Sequence, residues 1–247
     1  MEKNEYKNMY HQENNFWWYK TLHSLIIDVV KKKKDMNLSI FDAGCGTGRL
    51  MELLDDFGTV SGIDYSEEAV AFSEKRGLKR ITKCDLNNWI PTESYDIITS
   101  IDVLYHSAIT DDYAVLQKFY GALSNGGTLI LNLAAFNILK RDHDIIVHTK
   151  RRYRKKAFVK KLETIGFCIE KATYRMPLLF LIIVVQKLVY EVFPSKNIQS
   201  DVQEPPKWMN TMFWLLGKIE NSFILKIGGI PFGSSLFIVA KKCNNES

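Results

Sequence analysis

The chain has 247 residues, which is enough for one large domain or a domain with an added subdomain. Its hydrophobic content of 46% and charged content of 25% are ordinary for a globular protein. The formal net charge of +5 is mildly basic. Because no nucleic-acid-binding motif accompanies that charge, we expect no nucleic-acid partner.

The cysteines and the amino end argue against a metal site and against export. Cys45, Cys84, Cys168 and Cys243 are scattered and show no Cys-x-x-Cys or Cys/His ligand spacing, so we expect no metal. No signal peptide precedes the first predicted helix, which favours a cytoplasmic protein with reduced cysteines. The longest apolar run, 176–185, is shorter than the roughly 18–20 residues that span a bilayer.

Along the chain, apolar runs alternate with segments of helical spacing. The predicted strands are 38–43, 59–64, 78–85, 95–101, 126–136, 167–174 and 234–243. The predicted helices are 17–34, 48–58, 66–77 with Ser66 as N-cap, 111–123, 154–166, 176–193 and 208–225. This alternation is typical of an α/β fold with a doubly wound, mostly parallel seven-stranded sheet.

We interpret 1–247 as a single domain. Its predicted parts are N-terminal cap helices (1–36), a core (37–175), a helical insertion before the last strand (176–232) and the final strand (233–247). A polar, proline-bounded loop interrupts the insertion, which we expect to form a lid or a substrate wall.

A glycine-rich turn follows the first predicted strand. In "IFDAGCGTGRL", Asp42 comes before Gly44, Gly46 and Gly48 at the start of a helix. Glycines there let a ligand approach the backbone closely, and we expect bare N–H groups at that turn. The dinucleotide fingerprint requires a glycine where Arg49 stands. The negative charge of Asp42 also suits a cationic ligand better than a pyrophosphate.

Two further carboxylates end the next two predicted strands. Asp64 is suited to accept hydrogen bonds from a ribose diol. Asp85 is suited to accept one from an adenine amino group, with Leu86 as an apolar wall. Because open α/β sheets bind ligands at the carboxyl ends of their strands, the sequence predicts a nucleoside site there.

Five segments resemble the successive motifs of class I S-adenosylmethionine-dependent methyltransferases. They are "FDAGCGTGRLMELL", "VSGIDYSEEAV", "ITKCDLNNWIP", "YDIITSIDVLYH" and "LSNGGTLILN", and the similarity covers roughly 39–133. The resemblance implies a Rossmann-like fold with S-adenosylmethionine as cofactor and S-adenosylhomocysteine as its product.

The resemblance also implies roles for individual residues. Gly44, Cys45, Gly46 and Asp42 would surround the methionine portion of the cofactor, while Asp64 and its neighbour Tyr65 would bind the ribose. Asp85 and Leu86 would flank the adenine, and Ile101 and Asp102 would line the sulfonium side.

The N-terminal segment "ENNFWWYKTLHSLI" resembles an aromatic helix that caps the cofactor. Trp17 is its main candidate, and Tyr10, Phe16 and Trp18 are further ones that packing alone would also explain. Related helices carry an arginine near the position of Leu22, so Lys20 is the candidate group for the cofactor carboxylate.

The candidate catalytic groups are three histidines. His106 follows the fourth strand, and His143 and His148 lie in a segment similar to a His-Asp…His-x-Arg-Arg-Tyr motif. Any of them would serve as a general base, with Asp144 orienting a ring, or would have a structural role. Arg151 and Arg152 would bind a substrate carboxylate or phosphate, or be solvated.

We therefore expect a methyltransferase that acts on an oxygen or nitrogen nucleophile of a small metabolite or a natural-product intermediate, peptides included. One alternative is a lipid-linked or membrane-associated acceptor, with peripheral membrane contact through the apolar helices 176–193 and 207–227. A weaker alternative is an NAD-dependent oxidoreductase.

Overall fold

The structure is a computed structural model that describes residues 3–33, 37–140, 144, 147–192 and 205–243. Its strands are β1 (Leu38–Ala43), β2 (Gly58–Asp64), β3 (Ile81–Lys83), β4 (Tyr95–Ile101), β5 (Leu123–Ala134), β6 (Phe167–Arg175) and β7 (Ser235–Lys242). Its α-helices are α1 (Lys3–Gln12), α2 (Trp17–Val30), α3 (Arg49–Leu54), α4 (Glu67–Lys75), α5 (Asp112–Ala122), α6 (Lys155–Ile165), α7 (Pro177–Val192) and α8 (Lys207–Lys226).

The strands form one seven-stranded sheet in the order β3-β2-β1-β4-β5-β7-β6. Neighbours among β1 to β5 are parallel, whereas β7 lies antiparallel between β5 and β6. The predicted Rossmann-like, mostly parallel seven-stranded fold is therefore confirmed. The strand β3 is shorter than predicted because its flanking lysines and arginine are exposed at the sheet edge.

Apolar strands of this sheet are buried on both faces. Adjacent residues in β4 belong to opposite layers: Ile97 packs with Leu22 and Met51, and Ile98 packs with Leu116 and others on α5 and α6. Helices α2, α3 and α8 cover one face, and α5 and α6 cover the other. Such two-sided burial explains why the strands are continuously apolar.

Local signals set several helix ends. Ser66 caps α4, since its hydroxyl oxygen accepts a hydrogen bond from the Ala69 N–H at 3.4 Å, as predicted. Asp111 caps α5 in the same way, accepting from the Tyr113 N–H at 2.9 Å. The helix α2 ends at Val30, before the lysine run that the sequence analysis had included in it.

Helix α8 of the insertion packs along α2. The Asn221 amide donates to the Thr21 carbonyl oxygen at 2.7 Å, and the Trp17 and Phe213 rings are 5.0 Å apart. Gly217 lies against Thr21 so closely that a Cβ there would be 2.3 Å from the Thr21 Cγ2. The domain limits proposed from the sequence stay predictions.

The expectation of four reduced cysteines is wrong for one pair. Cys168 near the start of β6 and Cys243 just after β7 form a disulfide, with Cα atoms 5.6 Å apart, because the two strands are antiparallel neighbours. Cys45 and Cys84 are free. Among the described residues, no helix is both long and apolar enough to cross a bilayer.

We predict that Gly217→Ala destabilises the protein, because the added methyl group overlaps the Thr21 side chain. Overpacking of this kind costs about 1–3 kcal/mol, which exceeds the helix-propensity gain of about 1 kcal/mol. Urea denaturation should show the lower midpoint. Gly121→Ala, in α5 with open space around its Cβ, is the matched control and should raise the midpoint.

The double variant Thr21→Ser, Gly217→Ala removes the overlapping Cγ2 and should recover part of the loss. A Gly217→Ala protein at least as stable as wild type would contradict the described α2–α8 contact.

Candidate functional site

A cavity of about 520 Å³ opens at the carboxyl ends of β1, β2 and β4, under the two N-terminal helices and beside α7 and α8. Tyr10 and Lys20 do not line it, whereas the following cofactor-binding candidates from the sequence do. These residues are Trp17, Asp42, Gly44, Cys45, Gly46, Asp64, Tyr65, Asp85, Leu86, Ile101 and Asp102. The structure thus brings together residues from five separate segments, and their binding roles stay predictions.

The glycine turn allows close approach but does not offer the bare N–H groups expected of it. The Gly44 and Cys45 N–H groups donate to the Ile63 carbonyl oxygen at 2.8 and 2.9 Å, and the Gly46 N–H donates to Asp64 Oδ2 at 2.9 Å. Because β2 runs beside β1, its last carbonyl lies within reach of the turn. Gly44 has φ +85°, and a Cβ there would be 2.3 Å from Val103.

The carboxylates around the cavity are buried and hydrogen bonded. Asp64 accepts from the N–H groups of Gly46 and Ser66, each at 2.9 Å. Asp42 accepts from the Thr99 hydroxyl at 2.7 Å. The Asn132 amide donates to both oxygens of Asp102 at 3.1 and 3.0 Å. These bonds fix the orientation of each carboxylate at the end of its strand.

Burial dominates the electrostatics of these acids. It raises the pKa of Asp42 to about 7 and that of Asp102 to about 7, against the opposing effect of their hydrogen bonds. It raises the pKa of Glu13 to about 7 as well. Among the described residues that line the cavity there is no lysine or arginine. A ligand with positive charge is therefore favoured, and an anion is disfavoured.

A contact that the sequence analysis missed holds the N-terminal segment over the site. Arg76 Nη2 donates to Glu13 Oε2 at 2.9 Å, Arg76 Nε donates to the Thr47 carbonyl oxygen at 2.8 Å, and Thr47 Oγ1 donates to Glu13. Glu13 lines the cavity, whereas Arg76 lies behind its wall. No local pattern marks this pair, which is separated by 63 residues.

Aromatic side chains cover part of the cavity, as predicted for Phe16, Trp17 and Trp18. For Tyr10 the structure shows the packing alternative, since its ring stacks on Phe72 at 4.8 Å and it is not among the lining residues. Tyr6, Tyr19 and Phe213 are lining aromatics that the sequence analysis did not name as cofactor contacts.

Lys20 does not replace the expected arginine. Its Nζ lies 4.5 Å from the ring centroid of Trp214 on α8, and it is not among the lining residues. Lys20 is on the face of α2 that packs against α8, which explains the difference. A second arginine, Arg175, is fully buried behind the wall, with its Nε 3.9 Å from Glu220.

His106 lines the cavity, but its hydrogen bonding suits the ring to donate a hydrogen bond better than to accept a proton as a general base. Its Nδ1 accepts the Ala108 N–H at 3.1 Å, so the proton of the neutral ring is assigned to Nε2. Burial lowers the pKa of His106 to about 4. The His148 ring is 5.6 Å from that of His106. His143 lies outside the described residues.

A fourth histidine, His23, was not singled out in the sequence. It lies on α2, is buried and lines the cavity, and burial lowers its pKa to about 3, so the ring is neutral. The helical spacing of α2 does not distinguish His23 from residues that only pack against the core.

The arginines of the segment after β5 bond to internal groups. Arg152 binds Asp144 through two hydrogen bonds of 3.0 and 2.9 Å. Arg151 donates to the Ile109 carbonyl oxygen at 2.6 Å. Both arginines are therefore held by groups of this chain, while a role for them in binding a substrate anion, and one for Asp144 in orienting a histidine, stay predictions.

A family model described as a methyltransferase domain matches residues 41–131. The human tRNA N(3)-cytidine methyltransferase METTL6 is 28% identical over 136 residues, which cover 49% of this chain and 44% of that protein. A second human relative is matched over 25% of its length. The chain therefore spans less than half the length of these curated relatives.

Solved structures share the fold. The plantazolicin methyltransferase BpumL, in complex with a triazolic substrate analogue and S-adenosylhomocysteine, has a TM-score of 0.62 at 15% identity, covering 98% of this chain and 91% of that chain. A chain from the complex between the Haloferax volcanii Trm112 methyltransferase activator and a methyltransferase has a TM-score of 0.61 at 16% identity, covering 99% and 96%. Residues 41–131 of this chain therefore match a methyltransferase domain, and the chain shares the fold of these solved structures.

We predict that the His106 ring stays neutral, with its proton on Nε2, from pH 8 down to about pH 5. Burial disfavours the imidazolium, so protonation should occur near pH 4. Two-dimensional NMR of the ¹⁵N-labelled imidazoles measures both the tautomer and the titration, and His106→Gln assigns the signal. Protonation near pH 6.5 would contradict this description of the ring.

Proposed function

We propose that the chain transfers a methyl group from S-adenosylmethionine to an oxygen or nitrogen nucleophile of a small metabolite or a natural-product intermediate, peptides included. The observation that carries the proposal is the cavity at the strand ends. It combines buried carboxylates, a close-approach glycine turn and an aromatic wall.

The cavity residues fit this cofactor. Asp42 and Asp102, whose pKa values burial raises, and the absence of lysine and arginine from the described lining residues match the sulfonium and ammonium charges of S-adenosylmethionine. Asp64 retains acceptor sites beyond its two backbone hydrogen bonds, which suits it to a ribose diol. Asp85 and Leu86 would flank the adenine, and Trp17 would cover the cofactor, since aromatic faces attract cations.

The bound cofactor supplies a methyl group already activated for displacement by the positive sulfur. The protein therefore has to hold the acceptor nearby and remove a proton from it. Asp102 is better suited than His106 as the group that takes this proton. Its carboxylate is held by Asn132, lines the cavity and has a pKa near neutrality. The Nε2–H of His106 is suited to donate a hydrogen bond to the acceptor.

The lining favours an acceptor with apolar or aromatic parts. Leu179 of α7 and Phe213 of α8 line the cavity together with Ile109 and Val147, away from the glycine turn. BpumL, which shares the fold, was solved with a peptide-derived analogue. This combination supports a natural-product acceptor.

The curated relative METTL6 makes transfer RNA a second candidate acceptor. Against it, Arg151 and Arg152 of the most basic segment bond to internal groups, although Arg154 of the same segment is exposed. An NAD-dependent oxidoreductase is disfavoured, since the pyrophosphate would meet buried acids and engaged N–H groups.

Incubation with S-adenosylmethionine and acceptor pools should release S-adenosylhomocysteine and add the mass of one methyl group to an acceptor, detected by mass spectrometry. We expect Asp64→Asn to abolish detectable turnover. Loss of a hydrogen bond to a charged group costs about 1.5–3 kcal/mol, so S-adenosylhomocysteine should bind roughly tenfold to a hundredfold more weakly.

Asp56→Asn makes the same charge change at an exposed position outside the cavity and should leave both measurements unchanged. Tight binding of NAD in place of S-adenosylhomocysteine would contradict the proposal.

A further inference from the structure

Helix α8 has an exposed apolar face that is separate from its packing face. Trp208 and Ile219 are 66% and 68% exposed. Apart from the adjacent Leu215 and Leu216, the exposed apolar residues follow one another at steps of three or four: Trp208, Met212, Leu215, Leu216, Ile219, Phe223 and, just past the helix, Ile227. We call these seven residues the α8 stripe. Its size and regular spacing exceed what scattered surface apolar residues show.

The opposite face of α8 makes the contacts that hold this helix against the rest of the domain. Phe213, Gly217, Asn221 and Ile224 contact α2 or the core. The α8 stripe is therefore not needed to hold the helix in place.

Helix α7 repeats the pattern. Its exposed apolar residues are Leu178, Leu181, Val185, Leu188 and Val189, here called the α7 stripe. Phe180, on another side of the helix, packs on Phe136 and Phe232 with ring centroids 5.5 and 5.4 Å apart. Leu179 of α7 and Phe213 of α8 line the cavity, so both helices wall the site on one side and expose a stripe on another.

The charges beside the α8 stripe are all of one sign. Lys207, Lys218 and Lys226 are the charged residues on the exposed side of α8. The acidic residue of this helix, Glu220, turns inward, where it accepts the Met176 N–H at 2.9 Å. Positions 177–189 of α7 contain no acidic residue.

More lysines lie near the carboxyl end of α8. Lys171 donates through Nζ to the Ile224 carbonyl oxygen, and Lys32, which follows α2, is close enough to lower the pKa of Lys171. Two apolar stripes, with lysines beside the α8 stripe and no exposed acid among the residues of either helix whose burial is described, are complementary to a lipid surface with negative headgroups. A second copy of the same face would bring like charges together.

We propose that the α7 and α8 stripes dock this protein on the surface of an anionic lipid bilayer. In this arrangement the two helices lie at the interface. The apolar side chains enter the headgroup region, and the lysines contact the phosphates. Docking would bring the cavity wall to the membrane, but the proposal does not rest on the methyl-transfer reaction.

Co-sedimentation of the full chain with vesicles tests the docking. The wild-type protein should bind vesicles of phosphatidylcholine with phosphatidylglycerol, and bind pure phosphatidylcholine vesicles at least tenfold more weakly. Ile219→Asp places a charge in the stripe and should reduce binding tenfold or more. Lys218→Gln should weaken binding to anionic vesicles about fivefold, the value expected for one lysine.

Ile90→Asp is the matched control, because Ile90 is 77% exposed but lies outside both stripes, and it should bind like wild type. Unchanged S-adenosylhomocysteine affinity in each variant shows that the fold and the cofactor site are intact, which separates failure of docking from failure of the proposed reaction.

Three results would overturn the proposal. The first is that the wild-type protein does not bind anionic vesicles. The second is that Ile219→Asp and Ile90→Asp lose vesicle binding equally. The third is that light scattering shows a wild-type dimer which Ile219→Asp dissociates, while neither protein binds vesicles. The last result would assign the stripes to a second copy of the chain.

Discussion

The structure depends on a set of buried carboxylates that no lining cation neutralises. Asp42, Asp64 and Asp102 come from β1, β2 and the residue after β4, where parallel strands end at one edge of the sheet. Burial disfavours their ionised forms, although the guanidinium of Arg175 partly offsets this for Asp102. A ligand that brings positive charge relieves this cost, and the close-approach glycine turn admits it. The arrangement therefore selects a cationic nucleoside for an electrostatic reason.

The helices that cover this edge also connect the site to the surface. Glu13 and Arg76 fix the segment after α1, Trp17 on α2 contacts Phe213 on α8, and Glu220 on α8 bonds the start of α7. Each of these helices thus contributes to the cavity while it packs on a neighbour. Changes in how α7 and α8 meet a membrane would act on the acceptor side of the cavity, far from the glycine turn.

Local patterns predicted the core of this fold well. The limits of β1 and β4 match the predicted ones, because continuous apolar runs bounded by polar residues leave few alternatives. The residues that end the strands lie together at one edge of the sheet, as expected. The failures concern contacts between distant segments. Lys20 lies over the Trp214 ring, Tyr10 stacks on Phe72, and Cys168 forms a disulfide with Cys243. The engaged N–H groups of the turn depend on the register of β2, which no short motif encodes.

The most direct test of the central claim compares S-adenosylmethionine with S-adenosylhomocysteine, which differ in the charge on sulfur, by calorimetry at pH 6 and pH 8. With pKa values near 7, Glu13, Asp42 and Asp102 are mostly protonated at the lower pH and ionised at the higher. Affinity for the sulfonium should therefore rise with pH relative to affinity for the thioether. A ratio of the two affinities that stays constant or falls between these pH values would contradict the account.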